Sequence, residues 1–222
     1  MTKSSNNAII FDLDGTLLDT LDELGIITNI VLEKNGFPTH SLDEYRYLVG
    51  EGAENLITRA LGNEGSNRET VQRCLSEFLT IYRATCGERS RLYDGVPQLL
   101  DDLVHMGIRL AVLSNKPHDL TLKNIDLFLP HIPFDLVLGQ RDGVPKKPDP
   151  HGALEIADHM GIKPENFLYI GDTSIDMRTA VAAGMNPVGV LWGFRGEEEL
   201  RSSGAKHIIE KPGEILGLLQ TY

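Results

Sequence analysis

The apolar positions of this chain follow two patterns that divide it unevenly. From residue 94 onward, short β-rich runs at 109–113, 134–138, 167–170 and 187–191 alternate with stretches of helical period at 96–106, 119–127, 151–160 and 174–183. That alternation predicts a fold of the α/β class, a parallel sheet covered by helices. Gly107, Gly161 and Gly184 close three of the helical stretches, where a left-handed residue commonly stops a helix. An earlier apolar run at 8–11 reads as a buried strand. Residues 17–93 differ in kind. Leu21, Leu24, Ile27, Ile30 and Val31, then Leu56, Ile57 and Ala60, then Val71, Leu75, Phe78, Leu79 and Tyr82 recur at helical spacing, with nothing that looks like a strand of the sheet. This block reads as a helical insert placed right after the first strand. It would sit above the carboxyl ends of the strands, the edge at which open α/β sheets hold ligands, where it would shape a pocket and exclude water.

Composition narrows the class without naming a function. A chain of 222 residues, 41% apolar and 24% charged, can build one substantial core with a smaller insert, and is a poor candidate for disorder or a fibre. No apolar run approaches the roughly 20 residues of a membrane span. Residues 1–7 are polar with only Lys3 charged, unlike a signal peptide. Cys74 and Cys86 lie in a helical stretch without metal-ligand spacing, as suits reduced thiols in a cytoplasmic setting. The net charge of −11 argues against a nucleic-acid partner, which requires a basic footprint. It leaves a small phosphorylated substrate open, because one or two lysines and a metal in a partly buried pocket outweigh distant screened charge. The seven histidines show no metal spacing, and His118 is notable only for lying near Ser114. A monomer and a homodimer are both compatible with the sequence.

Chemistry concentrates at the predicted strand tips. Ile9-Ile10-Phe11-Asp12-Leu13-Asp14-Gly15-Thr16 ends an apolar run with two carboxylates separated by one residue. If the strand keeps its pleat, both point the same way. Such a pair either shares a proton or is neutralised by a divalent metal. With a metal, one carboxylate can act as nucleophile while the other exchanges protons. The alternative is two solvated aspartates before a glycine turn. Ser114-Asn115-Lys116-Pro117 offers a hydroxyl, an amide and helix-start amides to a phosphate oxygen, or else simply caps a helix. Val144-Pro145-Lys146-Lys147-Pro148-Asp149-Pro150 holds a lysine between prolines, which restrain the local backbone, or is a surface turn. Gly171-Asp172-Thr173-Ser174-Ile175-Asp176 places two acids across a strand-to-helix turn. Asp172 could join an oxygen-only magnesium shell, and both acids also suit a helix start.

Carboxylate pair, Ser-Asn, Lys, then Gly-Asp with a second Asp, in this order and at these tips, closely resembles the haloacid dehalogenase-like hydrolase superfamily over nearly the whole chain. The acid two residues after the first aspartate resembles its phosphotransferase branch. The resemblance implies a Rossmann-like catalytic core at 1–16 and 94–222 and a helical cap domain at 17–93. It implies that Asp12 is the nucleophile and becomes an aspartyl phosphate, and that Asp14 is first general acid and then base. Mg2+ would be held by the Asp12 carboxylate, the Asp14 backbone carbonyl and Asp172, with Asp176 tuning or supplementing the shell. Ser114 and Lys147 would bind the phosphoryl group, with Asn115 beside them. Lys147, immediately before Pro148-Asp149-Pro150, is preferred over Lys146, and only one should reach.

Within the insert, Tyr45-Arg46-Tyr47-Leu48-Val49-Gly50-Glu51-Gly52-Ala53 with Thr58-Arg59-Ala60-Leu61, and the tail Leu191-Trp192-Gly193-Phe194-Arg195-Gly196, look like phosphoglycolate phosphatases. That implies hydrolysis of 2-phosphoglycolate, with Gly50 near the ligand. Arg46 and Lys116 are candidates for the substrate carboxylate, or are ordinary helix-surface cations. Glu51, if it faced inward, would disfavour an anionic substrate. Phosphatases for sugar phosphates, nucleotides or pyrophosphate, and a β-phosphoglucomutase-like mutase, share the core motifs. A non-enzymatic regulator would not need every catalytic position filled.

Overall fold

The computed structural model describes residues 8–219. The expectation for residues 1–7, and the outer ends of the expected core at 1–16 and 94–222, lie outside or partly outside that range. The apolar run forms strand β1 (Ala8–Phe11), at the centre of a six-stranded sheet. It pairs in parallel with β4 (Arg109–Pro117) on one side and β6 (Phe167–Gly171) on the other. Beyond them lie β5 (Leu136–Gln140), then β7 (Asn186–Val190) and β8 (His207–Ile209), giving the order β5-β4-β1-β6-β7-β8. All pairings in this sheet are parallel.

Alternation along β1 divides the core between the two faces. Ile9 and Phe11 join Leu99, Leu100 and Leu103 of α5 (Val96–His105) and Ile215 of α10 (Ile215–Leu218). Ala8 and Ile10 join Ala153 and Ile156 of α7 (His151–Met160) and Ala180 of α8 (Ser174–Ala182).

Between β1 and α5 the chain forms helices α1 (Leu21–Lys34), α2 (Leu42–Leu48), α3 (Ala53–Ala60) and α4 (Arg68–Thr85) around a separate apolar cluster that includes Leu24, Ile27, Tyr45, Ile57, Phe78 and Tyr82. The two crossings between helices and sheet run side by side as an antiparallel ribbon, β2 (Leu18–Asp19) with β3 (Arg91–Leu92). Thr28 and Leu32 complete the buried face of α1, whereas Ile30 is exposed, one position off that stripe. The sequence pattern also omits α9 (Glu197–Ser202), β8 and α10. The first is acid-rich and the other two are too short to show a period. Among the described residues, no helix is long and apolar enough to cross a membrane.

Ile10 is fully buried between β4, β6 and the α7–α8 layer, with no solvent to fill a void beside it. Ile10→Ala is expected to cost about 2–5 kcal/mol of stability, read as a lower urea midpoint.

Candidate active site

The loops that follow β1, β4 and β6 meet at one edge of the sheet, because the three strands are adjacent and parallel. The pleat does not continue past Phe11. Leu17 N and Leu18 N both donate to Leu13 O, at 3.0 and 2.9 Å, and Gly15 turns the chain at φ 83°. A Cβ on Gly15 would lie 2.2 Å from Asp172 Oδ2, so this turn needs glycine for space as well as for its dihedral angle. The tight turn sends Asp12 and Asp14 to different partners, contrary to the expectation of two carboxylates pointing together. Asp12 Oδ1 lies 2.9 Å from Lys147 Nζ, and Asp14 Oδ1 lies 2.6 Å from Lys116 Nζ.

Lys147 is buried, and its Nζ also reaches Asp176 Oδ1 at 2.7 Å and the Leu113 carbonyl at 3.0 Å. Its backbone is bracketed by Asn115. Asn115 Oδ1 accepts from Lys147 N at 2.9 Å, and Asn115 Nδ2 donates to Lys147 O at 3.1 Å. The Asn115 side chain therefore secures the lysine loop instead of being free for a phosphate. Lys146 turns outward, donating to the Glu51 carbonyl at 3.3 Å. Of the adjacent lysines, only Lys147 reaches Asp12.

Asp172 accepts from Thr16 Oγ1 at 3.1 Å and from Phe194 N at 2.8 Å. Asp176 Oδ2 closes a capping box with Thr173 while Oδ1 holds Lys147, so its helix-capping and site roles coexist. Asp12, Asp172 and Asp176 are all buried, with carboxylate oxygens within 4.8 Å of one another. Burial first, then Asp176, pushes the Asp12 carboxyl well above the usual range, with Lys147 opposing. Asp172 is pushed up to about 7, by burial and then by Asp176, against the Phe194 amide. Burial alone would lower Lys147, but Asp12 and Asp176 together hold its ammonium well above its ordinary pKa. Three acids against one lysine leave an excess of negative charge. An all-oxygen, dehydrated donor set of this kind fits a hard divalent cation. Asp14 lies outside this carboxylate cluster, its side chain held by Lys116.

A cavity of about 50 Å³ lies over Asp12 and Asp14. Ser114, Asn115 and Lys116 line it from the sheet side, and Gly50, Gly52, Leu56, Phe78 and Tyr82 from the helical block. The Lys116 ammonium sits 4.9 Å from the centroid of the Tyr82 ring, a cation–π contact across the two layers. Ser114 Oγ accepts from Lys116 N at 3.2 Å. Arg46 does not line this cavity. It is exposed and donates to Gly193 O at 3.3 Å. Glu51 pairs with Arg59 and accepts from Asn55, so its charge is turned away from the cavity. His118 accepts from Gly139 N at 3.1 Å and ties α6 (His118–Phe128) to β5. Sequence reasoning missed Thr16 and Phe194 N as partners of Asp172, and missed Tyr82 as cavity lining. Thr16 stands inside the motif already singled out, whereas nothing local marks the other two.

Comparison with known proteins places this geometry in a family. The family described as haloacid dehalogenase-like hydrolase matches residues 9–190. A Nitrosococcus oceani protein named phosphoglycolate phosphatase is 34% identical over 214 residues, covering 95% of each chain. An N-acetylmuramic acid 6-phosphate phosphatase of Pseudomonas aeruginosa is 32% identical over 221 residues, covering 99% of this chain and 97% of the other. A crystal structure of a predicted phosphoglycolate phosphatase from Haemophilus somnus superposes with a TM-score of 0.89 at 27% identity, over 98% of this chain and 100% of that one. With the family matched over most of the chain and phosphatase relatives matched along nearly all of it, the chain belongs to the haloacid dehalogenase-like hydrolase family and is one of its phosphoric monoester hydrolases.

Proposed function

We propose that the protein hydrolyses a small phosphate monoester, 2-phosphoglycolate, to glycolate and phosphate through a phosphorylated Asp12. One observation carries this reading: Asp12 and Asp14, two residues apart, are held by different lysines beside the same small cavity. That arrangement separates their chemistry. The Asp12 carboxylate attacks phosphorus and the ester oxygen departs, taking a proton from Asp14. Asp14 then removes a proton from water, whose oxygen attacks phosphorus. The acyl–phosphate bond breaks, phosphate leaves and the Asp12 carboxylate is restored. Lys147 counters charge on Asp12 and on the transferring group, with Ser114 Oγ as a further contact.

Mg2+ fits the donor set. Asp12, Asp172 and the Asp14 backbone carbonyl would hold it, while Asp176 acts on Asp12 through Lys147. When bound, it supplies positive charge against the phosphoryl oxygens.

Residues 17–93 serve as a cap over a core formed by 1–16 and 94–222, and the cap selects the leaving group. The cavity volume favours a leaving group of few atoms, and the Lys116 ammonium beside Asp14 suits a carboxylate at its far end. A phosphorylated sugar acid is the second reading, favoured by the Pseudomonas aeruginosa relative at similar identity. Two free buried cysteines suit a reducing, cytoplasmic setting.

The substrate reading is tested by phosphate release from a panel of small phosphorylated acids, sugars and nucleotides with Mg2+. The highest kcat/KM is expected for 2-phosphoglycolate, with continuous release of phosphate, and isomerisation of a sugar phosphate without release would instead mark a mutase. Asp12→Asn is expected to lower Mg2+-dependent turnover by at least about 1,000-fold while Tm holds or rises, because a buried like charge is removed. Metal binding is tested by stability. Asp172 is held up to about 7 against an ordinary 3.8, so between these values the folded chain binds more protons than the unfolded one. Ion-free stability therefore falls as pH rises through that window. Mg2+ at about 100 times its Kd should add about 2.7 kcal/mol, seen as a Tm gain of about 5–10 °C. The gain should be larger near pH 8 than near pH 5.

A further inference from the structure

The segment 192–195, between β7 and α9, touches both the acid cluster and the cap. Trp192 Nε1 donates to Thr16 O at 2.9 Å, and Phe194 N donates to Asp172 Oδ2 at 2.8 Å. A Cβ on Gly193 would lie 2.3 Å from Asp172 Cβ and 2.4 Å from Gly15 O, so the backbone there is pressed against the Asp172 side chain. The next side chains face the cap. Phe194 is buried in the cap's own apolar cluster and lines the cavity. Arg195 Nη2 donates to Val49 O at 3.0 Å and Tyr47 O at 3.4 Å, and Nη1 donates to Arg46 O. The guanidinium lies 5.6 Å from the centroid of the Tyr47 ring, and Nε pairs with Glu199 Oε2 at 3.2 Å. Arg46 returns the contact through its bond to Gly193 O.

The carbonyls of Arg46 and Tyr47 belong to the last turn of α2, and that of Val49 directly follows it. End carbonyls of a helix lack partners within the helix. A planar fork of donors can satisfy several of them at once, which a lysine ammonium does less well. The Arg195 side chain is only 9% exposed, and its bond to Val49 O is partly sheltered from water. Immediately beyond them, Val49, Gly50 and Gly52 form the cavity wall.

We propose that Arg195 is a positioning residue that latches the cap. It holds residues 49–52 over Asp12 and, through Phe194 and Asp172, keeps the closed cap in register with the carboxylate cluster. The proposal rests on the phosphatase reading above and deepens it. An ester whose leaving group is held by residues 49–52 depends on the latch, whereas p-nitrophenyl phosphate, whose nitrophenolate departs readily without help from the cap, does not.

The test compares wild type, Arg195→Gln and Arg195→Lys on the small ester that the wild-type enzyme prefers and on p-nitrophenyl phosphate. In Arg195→Gln, kcat/KM for the small ester should fall about 10- to 100-fold, through KM more than kcat, with p-nitrophenyl phosphate hydrolysis changed by less than about 3-fold. Amide hydrogen exchange at 49–52 should accelerate while exchange in β1 does not. Arg195→Lys keeps the charge without the fork and should restore little. An equal proportional loss on both esters, or unchanged exchange at 49–52, would overturn the latch. Wild-type preference for a small ester other than 2-phosphoglycolate would overturn the substrate reading alone, since the latch is scored on whichever small ester is preferred.

Discussion

The site is organised by one buried ammonium. Lys147 Nζ lies within 3.0 Å of Asp12, Asp176 and the Leu113 carbonyl, and each contact ties it to a different strand tip. Removing several carboxylates from water costs several kcal/mol per ion unless they are paired. One lysine reduces that penalty without cancelling it. Burial, and after it the neighbouring Asp176 carboxylate, raises Asp12 and Asp172, and the residual negative charge suits a cation at this edge of the sheet. The long-range order of the fold serves this cluster. Parallel pairing of β1 with β4 and β6 brings together residues more than a hundred positions apart, and Asn115 then fixes the lysine loop against the tip of β4.

The same edge gives the two motif aspartates different surroundings. Asp12 is buried and enclosed by the acid cluster. Asp14, half-buried after the Gly15 turn, meets Lys116 and the cavity. A nucleophile needs a dehydrated, fixed position, and a proton carrier needs access to a leaving oxygen and later to water. A turn of a few residues supplies both surroundings, as the proposed roles of Asp12 and Asp14 require. Lys116 also lies over the Tyr82 ring of the helical insert, so the Asp14 side of the cavity is built partly by that insert.

Much of this was legible in the sequence because it depends on local signals. The apolar run at 8–11 read as a buried strand, which it is. Helical period separated the insert from the sheet, and the order of acids and lysine at the strand tips carried the chemistry. What the sequence did not disclose depends on where long side chains end. Arg46, a candidate for the substrate carboxylate or else an ordinary surface cation, bonds the Gly193 carbonyl across the interface, while Arg195 caps a helix nearly 150 residues away in sequence. Asn115 carries the residue type expected of a phosphate contact, yet its side-chain amide is committed to the Lys147 backbone, while Asp176, in the acid cluster, also bonds Lys147 and Thr173. The divergence of Asp12 and Asp14 was hidden for a related reason. A period-2 argument holds only while the strand continues, and the chain turns directly after Phe11.

The most direct test is anomalous diffraction from crystals soaked in Mn2+, which reports a cation without relying on turnover. The account predicts one peak between the Asp12 and Asp172 carboxylates, beside the Asp14 carbonyl, with the Lys147–Asp176 ion pair intact. A peak that displaces Lys147 from Asp176, or a Mn2+ ion bound elsewhere with this cluster empty, would contradict it.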